Sequence, residues 1–144
     1  MIRMSTSLSS IILLAFSCVM ISAMASCPTT LSLDTFLCKA NEEYYNLQLI
    51  GEVEILTGAP APDTEGFGEE AKKRIKPFLA KAKSTVFFNT RAGEALNDFY
   101  VYWITIINDS HPRTYEDLSV YQQRGAERYA KLQEKANQLR ISLE

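Results

Sequence analysis

The sequence predicts an all-α protein: a single-domain antiparallel bundle of about four helices that follows a cleaved N-terminal signal peptide. Two observations lead to this prediction. Apolar residues recur at steps of three and four positions in four segments, which is the spacing of one face of an α-helix. The 144 residues are 47% hydrophobic and 22% charged, an ordinary globular composition that argues against long disorder and against a multi-span membrane protein.

Residues 1–25 have the pattern of an export signal. Arg3 provides the positive start, residues 11–21 form an uncharged apolar run, and Ala23-Met24-Ala25 matches the small-x-small cleavage pattern. The apolar run is short for a membrane-spanning helix, which needs about 20 residues. We therefore expect cleavage after Ala25 and a domain at 26–144 that is exported, either to a periplasm or out of the cell.

Two cysteines remain after cleavage, Cys27 and Cys38. In an oxidising compartment an even number of cysteines favours a disulfide, here one that joins the N-terminal segment to the first helix. The alternative is a lipoprotein signal, because residues 24–27 resemble a lipobox in which Cys27 is acylated and anchors the chain to a membrane. Lipidation would leave Cys38 unpaired, so the disulfide is preferred.

The first helix is predicted at 33–56, with Ser32 as its N-cap and Asp34 in its first turn. It has two apolar stripes, so we expect it to contact neighbours on two sides and to lie centrally. Gly58 and the Ala-Pro-Ala-Pro run that follows end the helix and begin a loop at 58–68. The stripes consist of Leu33, Phe36, Leu37, Ala40, Tyr44, Leu47 and Gly51, and of Cys38, Tyr45, Leu49 and Leu56.

The second and third helices are predicted at 69–88 and 91–108. The second has apolar residues on one side and lysines on the rest, with Pro77 expected to kink it or to mark a restart. Asn89 and Thr90 are suitable caps for the third helix. Residues 99–107 are rich in aromatic and β-branched side chains, so a buried strand is an alternative there, but the chain offers it no hairpin partner.

The fourth helix is predicted at 115–143, after a break that contains Pro112. Thr114 is its expected N-cap, with Glu116 and Asp117 in the first turn. Its apolar stripe keeps a strict three-four spacing over about 26 residues, which is typical of a long helix packed at a shallow angle. The stripe consists of Leu118, Tyr121, Gly125, Tyr129, Leu132, Ala136, Leu139 and Leu143.

Charge is strongly segregated along the chain, although the whole sequence carries a formal net charge of only −2. Residues 34–70 contain nine acidic side chains and one Lys, whereas residues 71–91 contain seven basic side chains and no acidic one. Either the two segments neutralise each other across a helix interface, or an exposed basic strip binds an acidic protein or an anionic membrane surface. The strip would consist of Lys72, Lys73, Lys76 and Lys83.

Aromatic residues supply further candidates for a binding surface. Seven tyrosines and one Trp are more than a small core needs, and they suit either helix seams or a binding face. Tyr100 and Ile104 lie beside the main stripe of the third helix, so they are candidate partner contacts if they are exposed. Nucleic acid is not an expected partner, because no aromatic residues interleave with the basic ones and the net charge is negative.

No residue pattern in the sequence indicates a catalytic, metal or cofactor site. Asp109, Ser110 and His111 have the side chains of a hydrolase triad, but neighbours on one loop align poorly for that chemistry. One His and two cysteines that pair with each other do not provide the ligands of a zinc site. Gly66 and Gly68 begin a G-x-G-x-x-A spacing without the preceding strand that a phosphate loop requires.

The predicted function is therefore binding: an exported, non-catalytic helical bundle that acts on another protein as an inhibitor, immunity factor or envelope adaptor. One alternative is a protein that holds a lipid or another hydrophobic ligand in a cavity between its helices. That cavity would be lined by Phe36, Leu47, Phe99 and Trp103. A second, less favoured alternative is an enzyme that uses paired carboxylates, which would require acidic side chains to converge in a cleft.

Overall fold

A computed structural model describes residues 27–59, 66–113 and 116–144, and within these ranges the chain forms four α-helices and no strand. They are α1 (Leu33–Thr57), α2 (Phe67–Thr85), α3 (Thr90–Asn108) and α4 (Leu118–Ser142). The predicted all-α bundle is confirmed, and residues 99–107 are helical. The predicted signal peptide, the proline-rich part of the first loop and the expected cap Thr114 lie outside the described residues.

The helices alternate in direction, as the pairing of α1 with α4 shows. Residue numbers fall along α4 as they rise along α1, which is the signature of antiparallel neighbours. α1 also packs against α2 and α3, so it has neighbours on more than one side as expected, but α3 likewise contacts the other three helices and α1 is not uniquely central. The second predicted stripe does not account for these contacts, since Leu49 and Leu56 are exposed. The paired residues are Asp34 with Arg140, Asn41 with Gln133, and Tyr44 with Gly125.

Cap residues define the helix ends that the sequence signals most clearly. The Ser32 hydroxyl accepts a hydrogen bond from the Thr35 N–H at 3.0 Å, so it caps α1. Gly58 ends α1 in the left-handed conformation, with φ 69°. Asn89 caps α3 by accepting from the Ala92 N–H at 3.0 Å.

Two helices differ from their predicted bounds. α2 begins two residues earlier than expected, because Gly66 adopts φ 86° and starts the helix at Phe67. It ends at Thr85 because Asn89 must be extended to cap α3. α2 is continuous through Pro77, which is exposed.

α4 begins at Leu118, three residues after the predicted start. Asp117 occupies the N-cap position predicted for Thr114, so neither Glu116 nor Asp117 lies in the first turn. The Glu116 carboxylate instead accepts a hydrogen bond from the Arg113 N–H at 2.8 Å and pairs with Arg124, so it holds the loop together.

The core is filled by large side chains from α1, α3 and α4. Phe36 and Phe99 meet edge to face, with ring centroids 5.7 Å apart. Trp103 is fully buried, and its indole N–H donates to the Ala40 carbonyl at 2.8 Å. The four residues that the hydrophobic-ligand alternative placed around a cavity, Phe36, Leu47, Phe99 and Trp103, belong to this core, and Leu47 also lines a surface cleft at the start of α2.

Two buried tyrosines join α1 to α4 and to the loop before it. The Tyr44 hydroxyl donates to the Gly125 carbonyl at 3.1 Å and accepts from the Gln48 amide at 2.8 Å. The Tyr121 hydroxyl donates to the Ser110 carbonyl at 2.9 Å. Burial raises the pKa of both phenols well above the ordinary value. These tyrosines belong to helix seams, with each hydroxyl satisfied.

Cys27 and Cys38 form a disulfide, with their Cα atoms 5.6 Å apart. It links the segment before α1 to the second turn of that helix. We call this end of the molecule the disulfide end: α1 and α3 begin there, and α2 and α4 end there. None of the helices in the described ranges has the length and apolar composition needed to cross a membrane.

Candidate partner-binding groove

A surface groove of about 350 Å³ runs between α2 and α3. α2 supplies lysines along its length, and α3 contributes one aromatic ring. The apolar side chains of Leu79 and Ala80 lie among the lysines. We call this feature the lysine groove; its lining residues are Glu69, Lys72, Lys73, Lys76, Leu79, Ala80, Lys83 and Tyr100.

The amphipathic pattern of α2 places the lysines at the groove. Ala71, Ile75, Leu79 and Ala82 are buried and fix which side of α2 faces the bundle. The basic residues occupy the rest of the helix circumference. All four lysines of the predicted strip therefore line one groove, although the sequence pattern only placed them on one helix.

The groove lysines differ in how they are neutralised. Lys72 pairs with Glu69 at 2.5 Å and Lys73 with Glu70 at 3.1 Å, both within α2. Lys76 and Lys83 form no ion pair with any residue that the structure describes. Within the described residues, these two positive charges therefore remain unpaired along the groove.

Only one basic residue of α2 reaches the acidic helix α1. The Arg74 guanidinium donates to both carboxylate oxygens of Glu43, at 2.6 and 2.7 Å. This hydrogen bonding raises the pKa of Arg74. The charge compensation expected between the segments therefore occurs through Arg74, whereas the strip lysines face away from α1.

Tyr100 is held rigidly in the groove wall. Its ring stacks on Trp103, with centroids 5.9 Å apart and planes 15° from parallel. Trp103 is itself fixed in the core by its hydrogen bond to Ala40. Tyr100 and Ile104 are both partly buried against the core, so neither is fully exposed, and Ile104 does not line the groove.

A second cleft, of about 270 Å³, lies where α2 begins, and it contains the glycines of the G-x-G-x-x-A spacing. A Cβ atom at Gly68 would come within 2.7 Å of Asn108 Oδ1 and 3.3 Å of Ile107 Cγ2. The backbone of α2 thus lies close to the end of α3 at Gly68, and a side chain there would require the exposed Asn108 side chain to shift. This close approach is a packing role for Gly68 that involves no phosphate ligand.

Asp109, Ser110 and His111, which have the side chains of a hydrolase triad, each contact a different residue. Asp109 pairs with Arg128 at 2.6 Å, and the buried Ser110 hydroxyl donates to the Ile106 carbonyl. The exposed His111 faces Glu54 at 3.9 Å. In the described part of the chain, no group of three or more His, Cys, Asp or Glu side chains is placed to hold a metal ion.

Sequence reasoning missed one prominent feature, the pair Phe87 and Phe88. The helix predicted at 69–88 includes both residues and gives them no separate role. The structure places them after the end of α2, where their side chains are exposed. The signal that could have located them is Asn89, whose capping of α3 requires the preceding residues to leave the helix.

The fold and the groove together define a disulfide-linked, antiparallel four-helix bundle with a lysine-lined surface groove. No protein-family model, curated protein sequence or solved structure matches the chain. The chemistry of the groove is therefore the basis on which a function is assigned.

Proposed function

We propose that the protein is an exported, non-catalytic helical bundle that binds an acidic segment of a partner protein in the lysine groove. The observation that carries this proposal is the convergence of Lys76, Lys83 and Tyr100 on one groove. Inhibitors, immunity factors and envelope adaptors act by such binding. The Cys27–Cys38 disulfide supports export to a periplasm or to the outside.

Charge favours an acidic partner. Lys76 and Lys83 are exposed and have no ion-pair partner among the described residues, so a carboxylate from outside can bind them without displacing an existing pair. Lys72 and Lys73 can exchange their exposed contacts with Glu69 and Glu70 at small cost, since such surface pairs contribute only about 0.2–1 kcal/mol each. Binding should weaken as salt rises.

The apolar part of the groove favours a particular kind of segment. Leu79, Ala80 and Tyr100 offer contact for one apolar or aromatic side chain, flanked by the lysines. Tyr100 loses little freedom on binding because Trp103 already holds it. From Lys72 to Lys83 the helix rises about 16 Å, which matches about five residues of extended chain. We therefore expect a short acidic segment with a central apolar residue.

Selection from a displayed peptide library tests this proposal and does not require the partner to be identified first. The full-sequence protein is the bait, and recovered peptides are measured against the variant K76E/K83E. We expect an enriched motif of Asp or Glu around an apolar residue. Affinity should fall at least about tenfold in the variant, since two attractions become repulsions.

The matched control is K131E/K135E, which makes the same two Lys-to-Glu charge reversals on α4 and should leave peptide affinity unchanged. Y100A should weaken binding without altering its salt dependence. An enriched motif without acidic residues, or equal affinity for the wild type and K76E/K83E, would overturn the proposal.

A further inference from the structure

Two adjacent phenylalanines project from the disulfide end of the bundle. The side chain of Phe87 is 75% exposed and that of Phe88 is 96% exposed, and their rings contact each other edge to face at 4.9 Å. They lie in the turn between α2 and α3. We call residues 86–89 the phenylalanine tip. Exposing two neighbouring aromatic rings forgoes a substantial gain from burial, so a binding role is indicated.

The phenylalanine tip is a well-anchored turn. Val86 is buried in the core on one side of the two rings. On the other side Asn89 caps α3, and its amide also donates to the Ser142 carbonyl at 3.1 Å. The Asn89 N–H donates to the Val86 carbonyl at 2.9 Å and closes the turn. The backbone of the turn is therefore anchored on both sides of the two phenylalanines.

The surroundings of the tip are apolar and basic. Leu31, Ile141 and Leu143 belong to chain segments at the same end and are also exposed. Lys81, Lys83 and Arg91 flank the tip on α2 and α3, and no acidic residue lies between Lys72 and Arg91 in the sequence.

The acidic residues at this end are few and lie on other turns. Asp34 at the start of α1 is 3.8 Å from Arg140, so it is partly compensated. Glu94 lies one turn along α3 from the tip, and Glu144 follows the end of α4. Glu94 and Asp98 line one cleft together with Arg91, so acidic side chains share the α3 side of this end with that guanidinium. On the α2 side, Lys81 and Lys83 have no acidic neighbour in the sequence.

We propose that the phenylalanine tip inserts into the interface of an anionic lipid membrane. Phe87 and Phe88 enter the boundary between headgroups and acyl chains, and Lys81, Lys83 and Arg91 contact the lipid phosphates. A membrane fits better than a protein pocket because Phe88 projects almost wholly clear of its own molecule, and a deformable phase can enclose such a convex point. Attachment would be peripheral.

This surface is separate from the proposed protein-binding site, since the lysine groove runs along the side of the bundle and reaches the disulfide end only at Lys83. Only Lys83 contributes to both. Tests of the tip therefore leave Lys83 unchanged, so the failure of either proposal is distinguishable from the failure of the other.

Vesicle flotation tests the membrane proposal directly. The probe is phosphatidylcholine vesicles with and without phosphatidylglycerol, and the protein is expressed from the full sequence. We expect binding to the anionic vesicles to weaken at least about tenfold in F87S/F88S, since burying one Phe alone accounts for such a factor. K81E/R91E should abolish the preference for anionic over neutral vesicles.

The matched control is V53S/L56S. Val53 and Leu56 are 54% and 70% exposed and lie near the end of α1 opposite the tip, so their replacement should leave vesicle binding unchanged. Circular dichroism establishes that each variant is folded. The proposal is overturned if the wild type floats with neither vesicle, or if F87S/F88S and V53S/L56S bind equally. It is also overturned if F87S/F88S instead dissociates a dimer, which would identify the tip as a self-association surface.

Discussion

Gly51 shows how a single residue sets the spacing of the bundle. A Cβ atom built at this position would collide with the hydroxyl and ring of Tyr121. Tyr121 cannot move easily, because it is buried and its hydroxyl is bonded to the Ser110 carbonyl. Gly51 therefore provides the space on α1 that the Tyr121 ring of α4 occupies.

Replacing Gly51 with Ala should destabilise the fold by about 1–3 kcal/mol, the usual cost of overpacking a filled core. This cost exceeds the gain of up to about 1 kcal/mol from the better helix propensity of Ala. Chemical denaturation followed by circular dichroism measures the difference.

The control substitution for G51A is G93A. Gly93 also lies in a helix, but a Cβ atom there would have no neighbour within 4 Å, so Ala should stabilise by about 0.5–1 kcal/mol. Changes of opposite sign in the free energy of unfolding for G51A and G93A support this packing. Equal effects would show that Tyr121 adjusts freely.

Residue roles could be predicted where they depend on local chain geometry. The caps Ser32 and Asn89 follow from short-range hydrogen bonding, and both predictions are confirmed. Gly51 is recognisable in the sequence only as a member of an apolar stripe. Its contact with Tyr121 joins residues far apart in the chain, so no local pattern could reveal it.

At the scale of the elements, the Cys27–Cys38 disulfide is a covalent constraint on how the described part of the chain enters the bundle. It joins residues 11 positions apart and fixes the segment before α1 against that helix. Closing such a loop restricts the unfolded chain, which stabilises the folded state relative to it.

Replacing Cys38 with Ser should lower the free energy of unfolding by about 2–3 kcal/mol. C27S and the double variant C27S/C38S should lose the same amount, because all three lack one bridge. Thermal melts with and without reductant measure the loss. A larger loss in the double variant than in either single one would contradict the pairing, as would an intact mass with an added acyl group on Cys27.

Element types are easier to predict than element ends. Four amphipathic stripes identify four helices because each stripe reflects burial against the others. The predicted end of α2 is three residues too late, since Val86 continues the apolar stripe. The turn that follows depends on the local cap that Asn89 gives α3 and on the contact of Asn89 with the end of α4, and only the second of these is a tertiary requirement.

For the whole molecule, the basic residues of α2 fall into two groups with different surroundings. Arg74 links α2 to the acidic helix α1 through Glu43, and the lysines of the strip lie on the other side, in the groove. The lysines could be predicted from the spacing of α2. Their meeting with Tyr100 could not, because it depends on how α3 is rotated against α2.

The two proposed surfaces could be occupied at the same time on a membrane. With the phenylalanine tip in a membrane interface, the helix axes would point away from the lipid, and the lysine groove would remain open along one side. Such a molecule could hold an acidic partner beside the membrane.

Site-specific photo-crosslinking tests the central claim, that the lysine groove binds an acidic partner segment, most directly. A photoreactive residue replaces Ala80, which is exposed and lines the groove, and in a control it replaces the exposed Ala130 on α4. We predict a crosslink from position 80 to one protein, through a segment rich in Asp and Glu, that disappears in the K76E/K83E background. Equal crosslinking from both positions, or a crosslinked segment without acidic residues, would contradict the claim.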